Sequence, residues 1–298
     1  MSDTRPPIAI LGPGTVGDAL ARALHQANWP IAIGGRDVSR AKLLGEQVGA
    51  SAGDLATTAK GAAVCILTVK DDAIAPVCET LGQAGCWREG DIVLHCSGAM
   101  DSGALQAARQ AGASCASWHP LQTFPSGEAV ASLAEVPFFA EGDRAALTLA
   151  KTLSAAVGGE FYEIAPGGKA LYHAAAVMAC NYVSTMLDSA EMLMDQAGVD
   201  ADTARAAMGP LVRQTVENAL LRGPADTLTG PIARGDADTV RRHLAAMRQA
   251  GLGELASLYR AVARQTAEIA RRRGSEVCGV LDALNEPTND STERENGE

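Results

Sequence analysis

Short apolar runs alternate with stretches whose apolar positions recur every three or four residues along the first half of the chain, and beyond Gly167 only the second pattern continues. Continuous apolar runs suit strands buried on both faces, and the wider spacing suits helices with one buried face. Strands are therefore predicted at residues 8–11, 29–33, 63–69, 91–96, 113–118, 136–140 and 160–164, with helices between them such as those at 42–48 and 145–157. That order predicts a doubly wound α/β sheet. Helices alone follow at about 169–197, 202–221, 236–250 and 254–273, punctuated by Gly198, Gly223-Pro224, Gly230-Pro231 and Gly251. The chain thus reads as a sheet domain at 1–165, a smaller all-α domain at 166–285, and an acidic tail at 286–298 expected to be disordered.

The first predicted strand runs into Gly12-Pro13-Gly14-Thr15-Val16-Gly17, after which Val16, Ala19, Leu20 and Ala23 recur at helical spacing. Strand, tight turn and helix in that order is the setting in which Gly-x-Gly-x-x-Gly binds a dinucleotide, which makes the sheet Rossmann-type. Gly12 allows the turn, Gly14 lets the backbone approach a pyrophosphate, and Gly17 lets the helix lie close to the strand. The N–H groups that open the helix, at Thr15 and Val16, then face the phosphates together with the positive end of the helix dipole. The second strand ends in Gly34-Gly35-Arg36-Asp37, beside the expected adenosine ribose. A guanidinium there suits a 2′-phosphate, so Arg36 predicts NADP(H), with Ser39 and Arg40 as helpers. Asp37 has two competing readings: the acid that holds the 2′-hydroxyl of NAD, or the cap of a helix beginning near Val38. Thr68, Val69 and Lys70, at the carboxyl end of another buried strand, should edge the same cleft, and Asp71 or Asp72 reads as a helix cap.

Length and charge narrow the partners. A chain of 298 residues suffices for two cores, which with only 4% aromatic residues must be built mainly from Ala, Leu, Val and Ile. A net charge of -10 argues against nucleic acid and against anionic membranes, leaving a small molecule as the expected partner. Seven cysteines form no Cys-x-x-Cys pair and several lie inside apolar runs, so neither a disulfide framework nor a metal is expected, and the natural setting is the reducing cytoplasm. The N-terminus leads into a strand without the features of an export signal. Residues 170–187 carry no formal charge over nearly the length of a bilayer span, yet His173, Asn181 and Ser184 interrupt them and their alanines suit close packing. They read as a buried central helix. One so apolar needs more cover than three neighbouring helices supply, which predicts a homodimer formed mainly through the helical domain.

Lys169 precedes His173 by one helical turn, which places both on one face, and Asn181 follows two turns later at about 80° around the axis. Reduction of a carbonyl needs a proton donor near the oxygen that becomes an alkoxide, and Lys169 and His173 qualify. The plainer alternative is a solvated lysine and a core histidine. Ser97 and His119 each follow a strand and so fall on the cleft side, Ser97 near cofactor and substrate and His119 near substrate. Their plainer readings are a turn and an extended junction before Pro120. Arg234, in the polar stretch 228–240, either binds an anionic substrate or ties its loop, and Asp236 reads as the next helix cap.

GPGTVG (12–17), GGRD (34–37), VKDDAI (69–74), HCSGA (95–99), HPLQTF (119–124), KALYHAAAVMACNY (169–182) and GPIARGD (230–236) occur in this order. Together they resemble bacterial Rossmann-like proteins with a C-terminal domain of unknown function, a branch of the superfamily of ketopantoate reductase, pyrroline-5-carboxylate reductase, the β-hydroxyacid dehydrogenases and prephenate dehydrogenase. The resemblance implies NAD(P) and makes Lys169 the counterpart of the proton-donating lysine on the interdomain helix. His173 stands where those enzymes carry an asparagine, a departure from the pattern. His119-Pro120 resembles the His-Pro of prephenate dehydrogenases, which makes His119 a second candidate catalytic residue. The combined expectation is an NADPH-dependent oxidoreductase that reduces a small, anionic 2-oxo acid of the ketopantoate kind, or an imine. The alternative is an NADP(H)-binding regulator without turnover.

Overall fold

A computed structural model describes residues 5–124 and 132–287 and divides the chain into two compact units, Met1–Asn181 and Tyr182–Glu298. In the first unit the strands are β1 (Ile8–Leu11), β2 (Ile31–Gly34), β3 (Ser51–Gly53), β4 (Val64–Leu67), β5 (Ile92–His95), β6 (Ser114–Pro120), β7 (Pro137–Gly142) and β8 (Glu160–Glu163). They form one sheet in the order β3-β2-β1-β4-β5-β6-β7-β8, parallel except where β7 runs against β6. The helices are α1 (Thr15–Gln26), α2 (Val38–Val48), α3 (Leu55–Lys60), α4 (Asp71–Gln83), α5 (Gln106–Gln110), α6 (Arg144–Ala156) and α7 (Lys169–Ala179). Strand order reverses direction between β1 and β4, which brings the turn after β1 and Thr68 after β4 to one edge, the usual ligand crevice of such sheets.

Alternation along each strand explains why the sheet is covered on both sides. Ile8 and Ile10 pack with Leu20, Leu24, Trp118 and Phe138 on one face, while Ala9 and Leu11 pack with Leu67, Ile74, Leu81 and Trp87 on the other. Both sets are apolar, so neither face of β1 can be solvated. Two strands depart from the apolar pattern. β3 is Ser-Ala-Gly, without the signature of a strand, and exists because its backbone pairs with β2 at the sheet edge. β6 runs on through His119 and Pro120, beyond the end expected at Trp118, because β7 pairs with it at His119–Phe139 and Pro120–Phe138. A proline at the last position of a strand removes little of the ladder.

The second unit is helical, with α8 (Asn181–Gln196) leading into it, then α9 (Ala201–Arg222), α10 (Pro224–Thr227), α11 (Ala237–Gln249), α12 (Gly253–Arg272) and α13 (Cys278–Asn285). Val240, Leu244 and Met247 of α11, Ala256, Ala263 and Ala267 of α12, and Val280 and Leu284 of α13 form its core. Asp236 caps α11, as its position before the apolar spacing suggests, by accepting from Thr239 N at 3.0 Å. The single helix expected over 169–197 is instead interrupted at Cys180, between α7 and α8, where φ of -118° and ψ of -71° depart from ideal helix values. Residues 170–187 also do not form a buried central helix: Leu171 is 79% exposed and Met178 65%, while Lys169 is the one buried residue of α7. Among the described residues no helix is long and apolar enough to cross a membrane, and all seven cysteines are free. Of the tail expected to be disordered, Glu286 pairs with Arg241 at 2.7 Å, and residues 288–298 lie outside the described residues.

Candidate functional site

The glycines after β1 are each required by what touches them. Gly12 has φ +126°, and a Cβ on it would lie 2.8 Å from the Thr68 carbonyl; a Cβ on Gly17 would lie 2.0 Å from the Gly12 oxygen. No side chain fits at either position. Gly14 meets nothing closer than 3.9 Å, which leaves open space over the turn. Thr68 braces the turn from below, its hydroxyl donating to the Gly12 oxygen at 2.7 Å. Gly14 caps α1 without any side-chain hydrogen bond, so no side chain competes for the N–H groups at Thr15 and Val16. A phosphate-sized anion fits this cradle. Val69 is half-buried beside it.

Arg36 emerges exposed after β2 and, with Gly35, Asp54, Leu55, Pro76 and Val77, borders a cavity of about 410 Å³. Leu55 and Val77 were not singled out from sequence, since an apolar position on a helix does not show that a cavity lies over it. Asp37 caps α2, accepting from Arg40 N at 3.1 Å. Of its two readings, the cap is the one realised in this geometry.

A second group of side chains gathers at the carboxyl ends of β5 and β6. His95, fully buried, accepts from Ser97 N on Nδ1 (3.2 Å), so its Nε2–H donates to the Asp101 carbonyl (3.0 Å). One neutral ring therefore clips both ends of the 97–101 loop, and burial depresses its pKa to about 4. The Ser97 hydroxyl oxygen accepts from Ala99 N and Met100 N, so it is engaged inside that loop. Gly98 is the floor of the cluster: a Cβ there would lie 2.8 Å from His173 Nδ1 and 2.9 Å from His119 Nε2. The two imidazoles thus approach one point of backbone.

On α7, Lys169 is 3% exposed and its Nζ, like His173 Nδ1, is buried without a hydrogen-bond partner among the described residues. Burial pushes the lysine down to about 8, against the opposing pull of Glu141, Cys96, Asp71 and Asp101. Tyr172, one turn along, lies with its ring 5.2 Å from Nζ and its Oη 2.7 Å from His119 Nδ1, and packs against Phe139 at 4.8 Å between centroids. These contacts keep α7 with the sheet in the first unit. Burial, then the nearby Lys169 and His173, hold His119 down at about 4, while burial raises Tyr172 to about 12. At neutral pH Lys169 is an ammonium, Tyr172 a phenol and His119 a neutral ring, each able to donate.

Lys169, His173 and His119 are therefore brought together, with Ser97 in the loop beneath. Asn181 is exposed at the start of α8, and the break at Cys180 voids the angular relation to His173 that a continuous helix predicts. Arg234 lies exposed in the second unit, on the turn before α11, its N–H bonded to Gly230 and Pro231 oxygens. Tyr172, His95 and Gly98 escaped the sequence reading, although Tyr172 follows Lys169 by one turn and both His95 and Gly98 lie in the quoted HCSGA motif.

Residues 1–120 match the model of a Rossmann-like domain, and residues 136–266 match that of a domain of unknown function, DUF2520. No curated protein matches the sequence. Among solved structures, the chain is similar to BF3122 of Bacteroides fragilis, described as an NADP oxidoreductase (25% identity, TM-score 0.68, 89% of this chain and 98% of that one). It is also similar to a reductive aminase of Aspergillus terreus in complex with NADPH and ethyl-5-oxohexanoate (17%, TM-score 0.66, 94% and 99%). An imine reductase of Myxococcus stipitatus in complex with NADP+ aligns comparably (16%, TM-score 0.63, 94% and 99%). At the last two identities the likeness is one of fold. The chain is a Rossmann-like domain followed by a DUF2520 domain.

Proposed function

We propose that this protein is an NADP(H)-dependent reductase acting on the carbonyl of a small anionic oxo acid. The observation that carries the reading is Lys169, a buried amine without a hydrogen-bond partner, its pKa pulled down to about 8 by desolvation in a cluster of hydrogen-bond donors. Among the described residues no carboxylate forms an ion pair or hydrogen bond with Lys169, His119 or His173. Such a site suits oxygen acceptors and disfavours a protonated imine, which brings a cation and a donor of its own. The Gly12–Gly17 cradle and Arg36 support NADP(H), as do the cofactors named for similar folds. When bound, the reduced nicotinamide supplies a hydride to the carbonyl carbon. Lys169 gives its Nζ proton to the oxygen that receives the carbonyl electron pair, leaving a neutral amine and an alcohol. His173, orphaned at Nδ1, orients a second oxygen of the substrate. The exposed Leu171 (79%) on α7 and Leu220 (82%) on α9 support a homodimer that covers these helices.

The test is NADPH oxidation against 2-oxo acids and cyclic imines, with NADPH affinity measured separately. Oxo acids should turn over, and Lys169→Ala should lower the rate by about 10²–10⁴ with NADPH affinity retained. Turnover of imines alone refutes the substrate class. NADPH binding with no turnover of any panel member refutes the enzyme reading and leaves a dinucleotide-binding regulator.

A further inference from the structure

Tyr172 touches both groups that could deliver a proton here: its ring lies under Lys169 Nζ and its hydroxyl meets His119 Nδ1 at 2.7 Å. A single proton lies on the line between Oη and Nδ1, and its placement decides what His119 offers. With the proton on Nδ1, the Tyr172 O–H is left without an acceptor among the described residues, and Nε2 is a bare lone pair that offers no hydrogen to a substrate oxygen. With the proton on Oη, the phenol donates to Nδ1, both groups are satisfied, and the one N–H of a neutral His119 must reside on Nε2.

We propose that Tyr172 is the positioning residue that locks His119 in its Nε2–H tautomer, so that the cluster presents an imidazole N–H to the substrate oxygen that Lys169 protonates. Burial supports this arrangement, because it keeps His119 neutral and Tyr172 protonated across the physiological range. Phe139 holds the phenol ring in place at 4.8 Å, and Tyr162 stacks on Phe139 at 5.1 Å, so the donor is fixed by packing. His119 reaches the same tautomer from Tyr172 that His95 reaches from Ser97 N, by having Nδ1 occupied as an acceptor. Two donors of one cluster, Nε2–H and Nζ–H, favour a carbonyl oxygen over a protonated imine. The part of this inference that concerns substrate rests on the reductase reading above; the tautomer does not.

The experiment is two-bond ¹H–¹⁵N correlation on the full chain labelled at its 5 histidines, with His119 assigned from the spectrum of His119→Gln. Wild-type His119 should show a pyridine-type Nδ1 and a pyrrole-type Nε2. Tyr172→Phe keeps the ring and the Lys169 contact but removes the hydroxyl, and it should convert His119 to an averaged pattern while His95 stays unchanged as an internal control. A wild-type His119 protonated on Nδ1, or an unaltered His119 pattern in Tyr172→Phe, overturns the proposal. Either result leaves the reductase reading intact, since that reading is decided by the substrate panel.

Discussion

Replacing Lys169 with Met tests the burial argument independently of any substrate. Methionine keeps an unbranched chain of similar length and removes an amine that is 3% exposed and has no hydrogen-bond partner. Desolvation lowers the lysine from 10.5 to about 8, and at 1.36 kcal/mol per unit that is about 3 kcal/mol of folding free energy lost to the buried charge. The direction follows from proton binding. Below about pH 8 the lysine is charged in both folded and unfolded states, so the full penalty is present; between about 8 and 10.5 the folded state sheds its proton first and the penalty fades. Losing the cation–π contact with Tyr172 takes back about 1 kcal/mol. Lys169→Met should therefore be more stable than wild type by about 2 kcal/mol at pH 7, with the difference disappearing towards pH 10.5. Urea unfolding followed by tryptophan fluorescence suits this measurement, because Trp29, Trp87 and Trp118 all belong to the unit that contains Lys169. The same variant should lose turnover by about 10²–10⁴, a gain in stability set against a loss of function. A stability difference that stays constant from pH 7 to 10.5 would refute the desolvated lysine, and with it the donor assignment.

Arg36→Ala should weaken NADPH binding by roughly 10- to 100-fold, the loss of one charge-assisted contact, with NADH affinity unchanged; equal losses in a fluorescence titration would remove the 2′-phosphate argument. Gly98→Ala puts a methyl 2.8 Å from His173 Nδ1 and 2.9 Å from His119 Nε2. It should cut turnover by at least about tenfold through displaced imidazoles while NADPH affinity holds, and unchanged kinetics would mean that the rings do not act from that position. Light scattering at micromolar concentration should report a dimer for wild type and a monomer for Leu171→Arg combined with Leu220→Arg. A wild-type monomer refutes the homodimer.

Features that depend on neighbours a few positions away could be read from the residues alone. The apolar runs of β1, β4 and β5, the Gly12 and Gly17 positions, and the Asp236 cap all follow from local sterics, periodicity and short-range hydrogen bonding. The place of Arg36 just after β2 was legible for the same reason. Tertiary structure decided the rest. β3 has no local signature and is made by pairing with β2; β6 gained His119 and Pro120 only because β7 returned alongside it. No periodicity tells that the one charged residue of α7 is buried while Leu171 is exposed, because a helix face is assigned by what packs on it, and here the sheet unit takes the lysine side. Tyr172 and His119 are 53 positions apart. Their pairing, and the depressed basicity of Lys169, come from the exclusion of water by elements that meet only when the chain has folded.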